Sequence, residues 1–532
     1  MALGRPLKTV GTRPLIAAII ASTVLIGGCA APIEPTPGFK PSRAELIFTK
    51  GFTNIHDKYI RQLDVAKFAF GGIKNLDEID PRLIATRSPN SVGLVRAGVP
   101  FANFPAPSVS EPQAWAQLTT RAILAARERS PELKAANSET IFKAVFDGAL
   151  QPLDHHSRYV EPHSARDYRA QREGFGGIGV HLSFKTDLPS IMAILPETPA
   201  AGSRLRTGDV ISHVDGTPLE GLSQSDMIWR LRGHAGSAVR LRVTRAGQDT
   251  SLNITIKRSL IFPETVHFKR RGKVAIIRVT GFNQRTAQNL ERVIVGLPWN
   301  GDPPLEGIIL DLRGNPGGLL DQAVAVADAF LRKGRIVSTR GRHPESYQVF
   351  NATGRDLAHG TPMIVLINGR SASASEIVAA ALQDRGRAVL VGSNSYGKGT
   401  VQNITRLPND GELILTWSRF HAPSGYTLDD LGVLPNICTS NIKVSESGIF
   451  HKSMVSAIGE AQSLLSTWRT LTGFDEERRN GLRKKCPKTA GSPKLDLEIA
   501  QRILEDRRLY ARTLGISAPK LAKGKSAGLH TK

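Results

Sequence analysis

The chain has 532 residues, 40% of them hydrophobic, and a formal charge of +23. At about 150 residues per domain that length implies three or four domains, and the composition excludes a disordered chain. The charge suits anionic surfaces such as phospholipid headgroups or nucleic acid, but no aromatic-interleaved basic stripe of the kind that reads bases is present, so no nucleic-acid partner is expected.

The N-terminus reads as a targeting segment. Lys8 and Arg13 supply positive charge, an apolar run from Leu15 to Ile26 follows, and then comes "IGGCAAP". The run is too short for a comfortable membrane span. The small residues before Cys29 resemble a bacterial lipobox, whose cysteine is lipidated after cleavage. The expectation is a signal peptide over 1–28, lipid on Cys29, and a Pro-rich tether over 29–40. An ordinary secretory signal with an incidental cysteine is the other reading. Either way the protein is exported, to a bacterial periplasm or cell envelope, and the lipid would attach it to a membrane. Export makes the remaining cysteines, Cys438 and Cys486, candidates for a disulfide; two unrelated buried thiols is the alternative. Neither lies in a CxxC and there is no HExxH, so no metal site is expected. The adjacent His155 and His156 would face opposite ways on a strand, and both read as structural.

Residues 41–168 read as a mainly helical unit. "SETIFKAVFDGALQPL" places Ile141, Val145, Phe146 and Leu150 near helical spacing, and the Pro-rich "GVPFANFPAPSVSEPQ" reads as a loop. Residues 172–258 pair short apolar strands and Gly-rich turns with one helix, "SQSDMIWRLRG", as a small β-rich module would. Residues 259–445 alternate strands and helices. "KVAIIRV", "LEGIILDLRG", "PMIVLING" and "AVLVG" read as strands separated by helices, which implies a mostly parallel sheet. "GNPGG", "GRSASAS" and "GSNSYGKG" then fall at carboxyl ends of strands, where such sheets build their sites. Residues 446–512 read as a helical segment and 513–532 as a basic tail. The basic residues of "ERRNGLRKKCPK" and the tail lysines Lys520, Lys523, Lys525 and Lys532 read as solvated.

Lys398, between two glycines, has two readings. "GSNSYGKG" nearly fits a phosphate loop, but Gly399 stands where Ser or Thr should hold magnesium. The residues that follow, "TVQNITRL", look like a strand, whereas an anion loop needs a helix N-terminus. The other reading makes Lys398 a base. A serine opening "SASEIVAAALQD" would sit at a helix N-terminus, where developing negative charge is favoured, and it needs a base to be activated. A lysine kept neutral by burial can serve. "SNSYGKGTVQN" carries no acidic residue, as an unpaired amine requires. No GxSxG elbow is present.

"GGIGV" and "AGSRLRTGDVISHVDG", in this order, resemble a PDZ domain. Gly176, Gly177 and Gly179 would let the backbone approach a peptide carboxylate, with a strand beginning at Ile178 and continuing through Val180 to pair with the peptide. With "LDHHSRYVEP", "LDLRGNPGGLL", "SASASEI", "YGKGTVQ" and "LGVLPNI" added, the chain resembles the carboxyl-terminal processing proteases, a serine–lysine peptidase family, over about half its length. The resemblance implies an α/β core of crotonase/Clp-protease type with a PDZ domain, beside the helical N-terminal region, which matches the family only loosely. It implies Ser373 as nucleophile, Lys398 as general base and Gln402, on the same strand face, orienting the amine. Gly318 and Ala374 would be the oxyanion donors, with Gly317 a competitor for that role. No cofactor is implied. The expected partners are proteins or peptides bound by their C-termini; an adaptor and a homo-oligomer stay open. Tyr396, Arg370 and Asn436 depart from the family's usual phenylalanine, small residue and aspartate, and none removes a catalytic group. The rival readings are a catalytically silent PDZ scaffold of the same fold and a thioester-acting crotonase-type enzyme, which has no reason to carry a PDZ insertion or the lysine.

Overall fold

The computed structural model describes residues 38–516 apart from 249, 441, 443–446, 472–474 and 489–491, so the expected signal peptide, Cys29 and the tail lysines lie outside the described residues.

The helices Pro41–Lys58, Val65–Lys74, Pro112–Arg129 and Ser138–Leu150 carry the core of the N-terminal unit. Asp64 starts the second by accepting the N–H of Ala66, and Asn137 starts the fourth by accepting that of Thr140. Their apolar stripes meet around Phe48, Phe52, Phe68, Trp115 and Phe146, all fully buried. Two helices cross closely enough that a Cβ on Gly148 would lie 2.4 Å from the Gly71 carbonyl oxygen. The unit is less helical than the sequence suggests. Leu83–Arg87, Ser91–Arg96 and Val99–Pro105 make a three-stranded antiparallel sheet, and its last strand lies inside the segment expected to be a loop. Proline fits there because the strand is at an edge and Pro100 faces a bulge between Leu94 and Val95.

The middle module is a twisted antiparallel sheet with the helix Gln224–Leu231 packed on it. Its edge strand is Val180–Ser183, two residues later than expected, because Ile178 and Gly179 form the turn into it and Gly179 has φ +83°. Gly176 and Gly177 belong to a separate two-stranded ribbon, Phe175–Gly177 against Ser259–Ile261.

The core holds two sheets. Val274–Val279, Gly307–Asp311, Met363–Ile367, Val389–Gly392 and Ile437–Cys438 run parallel, with Val266–Arg271 added antiparallel at one edge. Their near-continuous apolar runs reflect burial on both faces. Ile308, Leu310, Val365 and Leu390 face the helices Leu320–Asp328 and Ala374–Asp384. Ile309, Ile364, Leu366 and Val391 face the C-terminal helix Pro493–Glu505. The second sheet is antiparallel and contains the hairpin Thr400–Arg406/Glu412–His421. Leu413 and Leu415 of that hairpin pack into the N-terminal core, so the N-terminal unit braces the element that follows Lys398. The fold is thus a mixed α/β core with a small antiparallel β-sheet module and N-terminal helices.

Candidate active site

Three loops leave the carboxyl ends of neighbouring parallel strands and are tied together by Asn315. Its Oδ1 accepts the N–H of Gly317, its carbonyl accepts the Ala372 N–H and the Ser375 hydroxyl, and its Nδ2 donates to the Val279 carbonyl. The Ser371 hydroxyl donates to the Leu312 carbonyl. Ser371 and Ser375 are therefore buried and spent, while Ser373 is half-buried and lines a cleft of about 290 Å³.

Ser373 stands immediately before the helix Ala374–Asp384, with φ +54° and ψ −114°. A non-glycine residue held there is strained, and such strain concentrates at functional positions. No GxSxG is needed for this sharp turn. Gly317 and Gly318 have φ +104° and +148°, and a Cβ on Gly318 would sit 2.1 Å from the Phe282 carbonyl oxygen, so only glycine fits. The Gly317 N–H is taken by Asn315. The N–H groups of Gly318 and Ala374 make no hydrogen bond among the described residues, and both residues line the cleft with Ser373.

Lys398 and Gln402 line the same cleft. Burial lowers the Lys398 pKa from its usual value, the Arg158 guanidinium lowers it further, and Glu376 and Asp154 act the other way. The expectation of an amine without acidic neighbours holds along the sequence and fails in space: Glu376 comes from the helix after Ser373 and Asp154 from the segment before Arg158. Lys398 and Gln402 also do not share a strand face. Lys398 precedes the strand Thr400–Arg406, and a bulge separates Val401 from Gln402. Gln402 Nε2 donates to the hydroxyls of Thr400 at 2.8 Å and Thr416 at 3.3 Å, and the Thr416 hydroxyl donates to Asp154 Oδ1 at 3.1 Å. His155 and His156 lie in the turn after Asp154 with rings 3.9 Å apart. Burial, then His155 and Lys398, lower the His156 pKa to about 4.

The back of the lysine loop is formed by the basic run read as solvated. Lys484 and Lys485 are exposed as expected, but Arg479 is buried. Arg479 donates to the Asp429 carbonyl and the Thr427 hydroxyl, and Arg483 donates to the carbonyls of Asp430 at 2.6 Å and Tyr396 at 3.0 Å. Lys488 Nζ lies 4.5 Å from the Tyr396 ring centre. Cys438 and Cys486 are joined by a disulfide that pins this run to the last strand of the parallel sheet. Asn436 is buried, its Oδ1 accepting Gln383 Nε2 and the Leu390 N–H.

Residues 273–439 match Peptidase family S41 and residues 176–256 match the PDZ domain family. Over 330 residues the chain is 38% identical to the carboxy-terminal-processing protease of Bartonella bacilliformis, an overlap of 62% of this chain and 76% of that protein. The chain belongs to the carboxyl-terminal-processing proteases of peptidase family S41. This S41 protease is also 31% identical over 339 residues to a "Probable CtpA-like serine protease" of Staphylococcus aureus, covering 63% of this chain and 67% of that one. Among solved structures it matches the photosystem II D1 C-terminal processing protease at 21% identity, over 79% of this chain and 98% of that chain, with a TM-score of 0.38. The S41 protease is a serine protease that carries a peptide-binding PDZ domain.

Among the contributors to its site that escaped the sequence reading are Asn315 and Glu376. Asn315 sits inside the quoted "GNPGG", and Glu376 follows Ser373 at the spacing of a capping box.

Proposed function

We propose that this protease is an exported, lipid-anchored endopeptidase that captures substrates by their C-termini and cleaves them by acyl transfer at Ser373. The observation that carries the proposal is the convergence on one cleft of Ser373 at a helix N-terminus, two unspent N–H donors, and a lysine whose ammonium form is disfavoured by burial.

Neutral Lys398 takes the Ser373 proton as Oγ attacks the scissile carbonyl. The N–H groups of Gly318 and Ala374 receive the oxyanion. Lys398 then passes its proton to the leaving amine, the acyl-serine forms, and water releases the product by the reverse proton path. Gln402, with Nε2 held by two threonines, keeps Oε1 as an acceptor for the amine. Substrate selection falls to the PDZ groove. It is lined by Ile178, Val180, Leu182, Ile228 and Leu231 and flanked by the free edge of Val180–Ser183, suited to strand addition. Export and lipid on Cys29 rest on the N-terminal sequence.

The test is a serine-directed fluorophosphonate probe with intact-mass and peptide mapping. Ser373 is the residue labelled, and Ser373→Ala and Lys398→Ala lose both labelling and turnover while the PDZ domain still binds peptide. Labelling elsewhere, or full turnover by Ser373→Ala, overturns the reading. In parallel, a peptide with a free C-terminus binds more tightly than its amide by about 1–3 kcal/mol; equal affinities would end the case for carboxylate recognition.

A further inference from the structure

We infer that Glu376 is a positioning residue that locks the Ser373 turn to the Lys398 loop, an inference that rests on the serine–lysine reading above. Glu376 is fully buried in the first turn of the helix after Ser373. Its Oε2 accepts the backbone N–H of Ser373 at 2.7 Å and that of Lys398 at 2.9 Å. Its Oε1 accepts the Gly397 N–H at 2.6 Å and the Ser395 hydroxyl at 2.5 Å. One oxygen thus bridges the backbones of the two residues whose side chains must exchange a proton. The other oxygen fixes the loop that presents Lys398.

Every partner is a donor, so only the ionised carboxylate, an acceptor at both oxygens, satisfies all four. Burial pushes the Glu376 pKa up, and the four donors pull it back. The Ser395 hydroxyl, while donating to Glu376, accepts the Val433 N–H at 2.6 Å, which extends the lock to the next loop. A glutamine has the same shape but would turn an NH₂ group toward two donors, leaving a buried clash of like polarity.

The carboxylate also acts on Lys398 through space. Lys398 faces Asp154 and His156 from the segment before the strand Arg158–Val160, Arg158 from the start of that strand, and Glu376 from the helix; Arg483 faces Glu376 from the C-terminal segment. Of these, Glu376 and Asp154 support the ammonium form. Removing the Glu376 charge therefore moves the ionisation of Lys398 to lower pH, whereas shortening the side chain with the charge kept leaves that ionisation closer to its place.

The experiment compares wild type, Glu376→Gln, Glu376→Asp, Ser373→Ala and Lys398→Ala on one unstructured peptide, with kcat and KM across pH, thermal unfolding, and PDZ peptide affinity. Glu376→Gln is expected to lower kcat at least 100-fold with KM and PDZ affinity within threefold of wild type. The midpoint of its residual activity shifts to lower pH. Glu376→Asp is expected to lose kcat comparably with a smaller shift, and it stands alone as the test if the glutamine variant does not fold. A kcat within threefold of wild type in the folded variants overturns the inference. So does a loss that merely follows unfolding, with the midpoint unmoved. If Ser373→Ala and Lys398→Ala keep activity, the dyad reading itself fails; if they are inactive while the Glu376 variants turn over normally, only the lock fails.

Discussion

Lys398 carries an opposition between stability and chemistry. Burial and Arg158 depress its pKa in the folded protein, while the unfolded chain keeps a value near 10.5. Below the folded pKa the native state must hold a buried ammonium, a destabilising load that is full there. The load shrinks as pH rises from the folded pKa to about 10.5, because in that window the unfolded state binds more protons than the native one. Lys398→Met is therefore expected to raise the urea midpoint at pH 7, with a gain that fades toward pH 10.5, while abolishing turnover. Lys398→Arg is expected to be inactive as well, because guanidinium does not surrender its proton. A Lys398→Met variant no more stable than wild type at pH 7 would show that burial is not what tunes this amine. In wild type, kcat is expected to rise with pH as the neutral fraction grows.

At the scale of elements, the decisive pieces are the helix Glu476–Arg483 and the loop it braces. Arg479 and Arg483 are four apart and so share a helix face. That face delivers guanidinium donors to the carbonyls of Asp429, Asp430 and Tyr396. Arg483→Ala is expected to lower kcat by about tenfold or more, an effect in the range of 1–3 kcal/mol for a lost charged hydrogen bond, with PDZ affinity unchanged. Unchanged kcat in this variant would make the contact structural padding. The parallel strands, the Gly-rich loops and the strand after Lys398 were legible because apolar runs and turn residues are local signals. The sheet Leu83–Pro105 was hidden by Pro100 and Pro105, which read as loop until the strand is known to be an edge. The service of Glu376, Asp154 and Arg158 to Lys398 could not be read at all. Their nearness arises from folding loops distant in sequence onto one cleft. A basic run likewise looks solvated until its i, i+4 spacing and the neighbouring Cys486 are weighed together.

For the whole molecule, the disulfide joins the last core strand to the segment that backs the lysine loop. Closing a loop with a sequence separation of 48 contributes about 4 kcal/mol in the chain-entropy picture. Mild reduction is expected to lower the urea midpoint and reduce Ser373 probe labelling, while peptide binding by the PDZ domain persists. A reduced protein that labels at the full rate would separate the bridge from the site. The same feature sets an order of events during biosynthesis. A ribosome completes Ser373, Lys398 and Gln402 before it reaches Arg479, Arg483 and Cys486, and on the export route proposed above the bridge closes only in the oxidising compartment. On that proposed route the unfinished enzyme holds its reactive groups without the brace behind them, so the cell that makes it would be shielded from the blade until the blade has left.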